Sequence, residues 1–320
     1  MSKKSAIFSL AGGLGNQLFQ YSAAKSISTT HTIYFETASL KPRKHKRGIT
    51  EIESLGVFSE SPSPLLSANS KMISKLSGYL LSRGSRQIRE SLAGKTKIEF
   101  ASFTLSLVLF LFYRKYFKIY VSENVGYSEI NLTNSNYWIL GYFQSYEYID
   151  NSVLNQINNA ELEDPSTDFG KLMQQVLEEK PCLIHLRLGD YLEERDFGLP
   201  SIEYYTAAIS DLEHSGYNGP YWIFSDDLDL AKEKLASFTH PNYRFIQTRH
   251  LSSAEVLKIM SCASHFIIAN STFSYWSAML SKTPQKLVYS PFPWFKNLEE
   301  PRRLIPQEWI RIHSENIVTS

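Results

Sequence analysis

Cys182-Leu183-Ile184-His185-Leu186-Arg187-Leu188-Gly189-Asp190-Tyr191 is a short apolar run that ends in a knot of charge. The apolar half reads as a buried strand and the Gly turn as the point where that strand runs out. In open parallel sheets ligands bind beyond the carboxyl ends of the strands, so His185, Arg187 and Asp190 stand where chemistry is expected. Arg187 leads them. A planar guanidinium grips a phosphate through two charge-assisted hydrogen bonds, and Asp190 within reach would hold it in that pose. The plain alternative is an Arg–Asp pair that only closes a loop.

Around this stretch strand and helix alternate. A helix over Lys171 to Glu179 leads into the Cys182 run, and Leu199-Pro200 opens a helix through Tyr204, Tyr205 and Ile209. Tyr221-Trp222-Ile223-Phe224 reads as a strand ending in Ser225-Asp226-Asp227, followed by a Leu228 to Phe238 helix and an Arg244-Phe245-Ile246 strand. A Ser252 to Cys262 helix precedes the strand His265 to Ala269, which ends in Asn270-Ser271-Thr272 and a helix over Phe273 to Leu280; Lys286-Leu287-Val288-Tyr289 closes the sheet. Four β/α steps predict a doubly wound parallel domain. Its strand ends add Asp226, Asp227, Asn270, Ser271 and Thr272 to His185 as candidate ligand contacts along one edge. Asp227 and Asp229 could form a metal-binding pair. Their place at a helix start favours a cap, or an acceptor for a nucleoside, with Arg187 and the Ser271-Thr272 helix start neutralising a diphosphate without metal.

Toward the N-terminus, Ala6-Ile7-Phe8-Ser9-Leu10 is a strand, Ala11-Gly12-Gly13-Leu14-Gly15-Asn16-Gln17 a glycine turn, and Leu18, Tyr21, Ala24 and Ile27 mark a helix. Glycines let a ligand approach the backbone, and a helix N-terminus offers N–H groups to an anion or a sugar hydroxyl. A dinucleotide fold is one reading, since the strand His31 to Phe35 ends in Glu36 near the spacing for a ribose-binding acid. The missing third glycine weighs against it, and the carboxamides of Asn16 and Gln17 suit hydroxyl-rich ligands. The structural alternative is a glycine turn with Asn16 as helix cap. Asn136 to Ser145 reads as a strand opening into an aromatic loop with Gln144 at its end, which fits a sugar site. Asn155 to Phe169 reads as an interdomain linker, which divides the chain into domains 1–160 and 161–320.

Composition narrows the class. With 320 residues, 43% apolar content and a formal charge of +1, the chain buries a large core and carries no nucleic-acid signature. Cys182 and Cys262 lie in apolar stretches, as core residues do in a reducing compartment. The N-terminus lacks a signal-peptide core, which predicts a cytoplasmic protein. Lys41-Pro42-Arg43-Lys44-His45-Lys46-Arg47 is a dense basic run, a solvated loop or a weak peripheral contact with an anionic membrane face or a diphosphate-bearing acceptor. Ser59 to Ser67 reads as a loop and Met72 to Ile98 as one or two helices. Phe100 to Tyr113, too short to span a bilayer, reads as a core helix with an interfacial helix second.

Four blocks taken together, Leu10 to Tyr21, Gly141 to Ser145, His185 to Tyr191 and Asn270 to Trp276, resemble the bacterial α-1,2-fucosyltransferases of glycosyltransferase family 11. The resemblance spans nearly the whole chain in the family's order. It implies a GT-B-like α/β fold, two Rossmann-like domains facing a cleft, with GDP-β-L-fucose on the C-terminal side and the acceptor sugar on the N-terminal side. The implied reaction moves L-fucose to the 2-hydroxyl of a galactose-type residue with inversion, without a metal or other cofactor. The acceptor would be part of a surface polysaccharide such as O-antigen, carried on a lipid diphosphate at the inner membrane face. The family's His-x-Arg-Arg-x-Asp motif appears as His185, Arg187 and Asp190, with Leu188 in place of the second arginine. Tyr275 and Met279 stand where tryptophans are common, and Ser277 where glycine is. Arg187, Asp190 and Asn16 are thereby marked as catalytic, and Gly13, Gly15, Gln17, Gln144 and the C-terminal strand-end residues as substrate contacts. No general base is obvious, because pairing to Arg187 would lower the pKa of Asp190. Two other classes stay open on residues alone: an NAD-dependent oxidoreductase, which the glycine turn disfavours, and a non-catalytic carbohydrate-binding protein, which has no use for Arg187.

Overall fold

The structure is a computed structural model that describes residues 3–36, 51–57, 118–122, 124–162, 164–189, 196–236 and 242–315. Asp190 and the readings at Lys41 to Arg47, Ser59 to Ser67, Met72 to Ile98 and Phe100 to Tyr113 lie outside the described residues. The chain divides into two compact units. The boundary falls at Val153/Leu154, Ser54–Gly56 belongs to the second unit, and the short segment Pro301–Leu304 returns to the first.

The first unit holds a parallel sheet of β1 (Lys4–Ser9), β2 (His31–Glu36), β3 (Lys118–Val121) and β4 (Tyr137–Leu140) in the order β2-β1-β4-β3. Its inner strands are apolar runs with no polar alternation, as strands covered on both faces are. Helix α1 (Leu14–Ser26) follows β1, and the one-turn helix α2 (Glu51–Ser54) follows β2. In α1 Leu14, Leu18, Phe19 and Tyr21 are buried against the sheet. A polar thread crosses this core: Trp138 Nε1 donates to Ser9 Oγ at 2.7 Å, and Ser9 Oγ donates to Glu36 Oε2 at 3.2 Å. Glu36 is only 3% exposed, so the acid read as a possible ribose contact is part of the core.

The second unit contains α3 (Asn151–Asn159, which begins in the first), α4 (Thr167–Glu179), β5 (Cys182–Leu186), α5 (Ile202–His214), β6 (Tyr221–Ser225), α6 (Leu228–Leu235), β7 (Tyr243–Phe245), α7 (Ser253–Ser261), β8 (His265–Ile267), α8 (Thr272–Leu280), β9 (Val288–Phe292) and β10 (Ile310–His313). All six strands are parallel, in the order β10-β9-β8-β5-β6-β7. This is the doubly wound arrangement, in which the chain reverses its direction of travel between β5 and β8. Two readings are corrected here. The sheet does not close at Tyr289, because Ile310 to His313 adds an edge strand beside β9. Nor is Asn155 to Phe169 a linker, because α3 and the start of α4 run through it; α3 hides its helical signal by burying only Val153 and Ile157, four residues apart. Pro291 is tolerated within β9 because β8 stops opposite Tyr289 and leaves it one neighbouring strand.

The helices are fastened by their caps. Ser166 Oγ accepts the Phe169 N–H of α4, and Ser252 and Glu255 form a reciprocal capping box on α7. Glu255 also accepts the Ser166 N–H at 2.7 Å, so one carboxylate serves two helix starts. The two cysteines are unpaired, and burial raises the Cys182 thiol well above its usual range. Among the described residues no helix is long and apolar enough to cross a membrane.

Candidate active site

In the second unit the register of β5 against β6 sets Leu186 opposite Ser225, which puts the next residues, Arg187 and Asp226, side by side. Arg187 Nη1 lies 3.1 Å from Asp226 Oδ2. Asp226 Oδ1 accepts the Leu188 N–H at 2.8 Å and Oδ2 the Gly189 N–H at 3.1 Å. The turn after β5 is thus folded onto the carboxylate of the neighbouring strand. Gly189 permits this approach, since a Cβ would fall 2.7 Å from Asp226 Oδ2 and push the carboxylate aside. The clamp expected from Asp190 is therefore supplied among the described residues by Asp226, which short-range sequence cannot reveal because the contact depends on strand register.

His185 is inside the wall of this site. Its carbonyl accepts the Tyr205 hydroxyl at 3.0 Å, its ring lies 6.4 Å from that of Phe273, and among the described residues its buried Nδ1 has no hydrogen-bond partner. Burial depresses its pKa to about 4; Asp226 pulls it back up and Arg187 adds to the depression. The imidazole is therefore neutral at physiological pH and adds no positive charge beside Arg187.

The other strand ends are partly consumed by local structure. Asp227 caps α6 by accepting the Leu230 N–H at 3.0 Å, and Asp229 is exposed beside Lys232 and Arg249. Asn270 is fully buried and its Nδ2 donates to the carbonyls of Phe197 and Gly198, fastening the segment before α5 to the end of β8. Ser271 caps α8 through the Phe273 N–H at 3.3 Å. Thr272 opens that helix and is half-buried. His185, Arg187 and Asp226 are thus brought together at the reversal point, with the α8 N-terminus beside them through the His185–Phe273 contact. Asp227, Asn270 and Ser271 hold its frame.

The first unit has its own strand-end cluster, where the chain reverses between β1 and β4. Gly13 is the N-cap of α1 and provides no side-chain cap, so Asn16 lies inside the first helical turn and is not the cap. The Leu14 N–H is instead taken by Glu51 Oε2 at 2.8 Å, a carboxylate from α2. An anion does meet this helix dipole, but it is the chain's own. Gln17 is buried, donating to Gly12 O at 2.8 Å and accepting the Ile52 N–H at 3.2 Å; it shapes the turn. Gln20 accepts the Ala11 N–H and donates to Gly141 O, tying the ends of β1 and β4 together. Asn16 is half-exposed and its Oδ1 accepts from Gln144 Nε2 at 2.8 Å. Gly13 and Gly15 line the same turn, Gly13 with room for a ligand backbone approach and Gly15 buried in α1. Gln144 stands on a loop held by Pro301–Leu304, where the Arg303 carbonyl accepts from Ser145 Oγ and the Tyr146 N–H. Glu51 and Gln20 escaped the sequence reading. Gln20 is the more legible of the two, being a second carboxamide within the glycine-turn block.

The two clusters carry no repeat of one another: one is cationic around a clamped Arg, the other a set of carboxamides beside a self-supplied carboxylate. Comparison of the chain with known proteins gives its family. Over 210 residues it is 29% identical to the O-antigen biosynthesis glycosyltransferase WbnK of Escherichia coli, spanning 61% of this chain and 68% of that protein. Over 140 residues it is 33% identical to an alpha-1,2-colitosyltransferase of Escherichia coli, spanning 40% of this chain and 46% of that one. Among solved structures the fucosyltransferase NodZ from Bradyrhizobium aligns over 90% of this chain and 95% of its own, with a TM-score of 0.47 and 12% identity. The pattern that defines glycosyl transferase family 11 matches residues 7–311, so from the first strand to the last the chain belongs to that family of glycosyltransferases.

Proposed function

We propose that the protein transfers L-fucose from GDP-β-L-fucose to the 2-hydroxyl of a galactose-type residue, with inversion, during assembly of a surface polysaccharide. The observation that carries this is the Arg187–Asp226 clamp at the reversal point of the second sheet, a fixed guanidinium where a diphosphate is best met. As the sugar–phosphate bond breaks, negative charge grows on the β-phosphate. Arg187, already oriented, stabilises it without reorganisation, an effect worth roughly 3–4 kcal/mol for a well-placed donor. Membership of a glycosyltransferase family disposes of the oxidoreductase reading.

The N-terminal cluster, with neutral carboxamides and a carboxylate at the helix start, suits a hydroxyl-bearing acceptor better than a phosphate. Leu188 in place of a second arginine leaves the proposal resting on one guanidinium. A colitosyl donor is the second reading, favoured by the 33% identity to an alpha-1,2-colitosyltransferase. Colitose is fucose lacking the 3-hydroxyl, so the two donors differ by one polar contact.

The test measures turnover of GDP-fucose and GDP-colitose against a panel of β-galactosides, with the product linkage read by NMR. An α-1,2-fucosyl product with the higher kcat/KM for GDP-fucose is expected. Preference for GDP-colitose would move the assignment to the second reading, and absence of transfer from either, with no stabilisation by GDP, would overturn both. GDP at 100 times its Kd should stabilise the fold by about 2.7 kcal/mol.

A further inference from the structure

We propose that Gln144 is a positioning residue: it fixes which way the Asn16 carboxamide faces, so that Asn16 offers its Nδ2 amino group to an oxygen of the acceptor sugar. This rests on reading the first unit as the acceptor side.

A carboxamide is nearly symmetric in shape but not in chemistry. Its amino end only donates and its carbonyl end only accepts, and an unrestrained Asn presents either. Gln144 Nε2 can serve only as donor, so at 2.8 Å from Asn16 Oδ1 it selects one of the two faces and leaves Nδ2 for a ligand. A tie between helix and strand end would not need this bond, because Gln20 already joins Ala11 to Gly141. Nor is the arrangement one that packing alone would favour. Gln144 is 6% exposed, and among the described residues its buried Oε1 has no hydrogen-bond partner, a cost that a purely structural role would avoid.

The backbone on both sides is shaped for this contact. Phe143, immediately before Gln144, has φ +54, an unfavourable left-handed conformation for a bulky residue, with its ring packed among Phe8, Tyr120 and Tyr148. Gly141 leaves room for that ring, since a Cβ there would fall 2.9 Å from it. Across the contact Gly12 has φ +76, and a Cβ on it would fall 2.4 Å from Asn16 Nδ2. Asn16 therefore lies between the bare backbone of Gly12 and the buried Gln144 amide. With the Glu51 carboxylate on the same helix start, a neutral oxygen is the fitting partner for Nδ2 and a phosphate is not.

A double-mutant cycle tests this, using GDP-fucose and the best β-galactoside of the panel. Asn16→Ala and Gln144→Ala should each lower kcat/KM for the acceptor at least tenfold. The donor KM should stay within twofold. The double variant should be no worse than Asn16→Ala alone. Gln144→Glu should reproduce the loss, because an ionised carboxylate cannot donate to Oδ1. Asn16→Asp should also reproduce it, because it keeps the bond from Gln144 and loses Nδ2. Multiplying losses in the double variant would overturn the proposal. Coupled losses that fall on the donor KM would support Gln144 acting through Asn16 while removing the acceptor from the first unit. A readout that needs no turnover is the Asn16 side-chain amide resonance pair, expected to shift in Gln144→Glu at unchanged melting temperature; an unmoved pair would also overturn the proposal.

Discussion

Arg187 owes its place to shape as well as charge. A guanidinium held by Asp226 is planar and oriented, which an ammonium on a flexible stem is not. Arg187→Lys should therefore lower kcat by more than tenfold with the melting temperature within a few degrees of wild type. Near-normal turnover would dismiss the phosphate role. His185 gives a second expectation. Its folded pKa lies near 4 against an ordinary 6.5, so between those values the unfolded chain binds a proton that the native state excludes. Stability should be full above about pH 6.5 and fall as pH drops toward 4. Urea titrations from pH 7 to 4.5 should show a steeper acid loss for wild type than for His185→Asn; parallel curves would contradict the buried, neutral imidazole.

At the scale of elements, Glu255 couples two helix starts through one side chain. Ser252→Ala removes a single cap and should cost about 1 kcal/mol. Glu255→Ala uncovers the N–H groups of both Ser252 and Ser166 and should cost more, up to roughly 3 kcal/mol. Equal losses in urea unfolding would show that the shared cap adds nothing. The same scale explains what could be read beforehand. The Cys182 to Leu186 strand, the glycine turn into α1 and the strand–helix alternation were legible because each is written in consecutive residues. Asp226 as partner of Arg187, and Glu51 on the α1 start, were not, because register and tertiary approach create them. Strand β10 went unread because an edge strand of four residues with Arg311 and His313 in it has little apolar signal. His185 and Arg187 do lie at the end of the strand read from the sequence, whereas Gln17, Asp227 and Ser271 spend their side chains on turns and caps and Asn270 on the carbonyls of Phe197 and Gly198.

At the scale of the whole molecule, the two sheets carry unlike strand-end chemistry, and the proposed reaction would place its developing charge at Arg187. Turnover should be largely insensitive to EDTA, since Asp227 and Asp229, the acid pair weighed as a metal site, are committed to a helix cap and to surface ion pairs. Loss of activity on chelation, restored by Mg²⁺ or Mn²⁺, would require a metal-binding role for side chains not assigned one here. Pro301–Leu304 has a further consequence, for the order in which the protein can be made. The first unit is assembled from stretches far apart in sequence, and the carbonyl of Arg303 is the anchor for the loop that carries Gln144. A nascent chain that has completed β4 still lacks that anchor, and receives it only after nearly all of the second unit has been synthesised. The N-terminal half is thus the first to be translated and the last to be finished, so a fragment ending near Val153 should fold without a settled Gln144 loop.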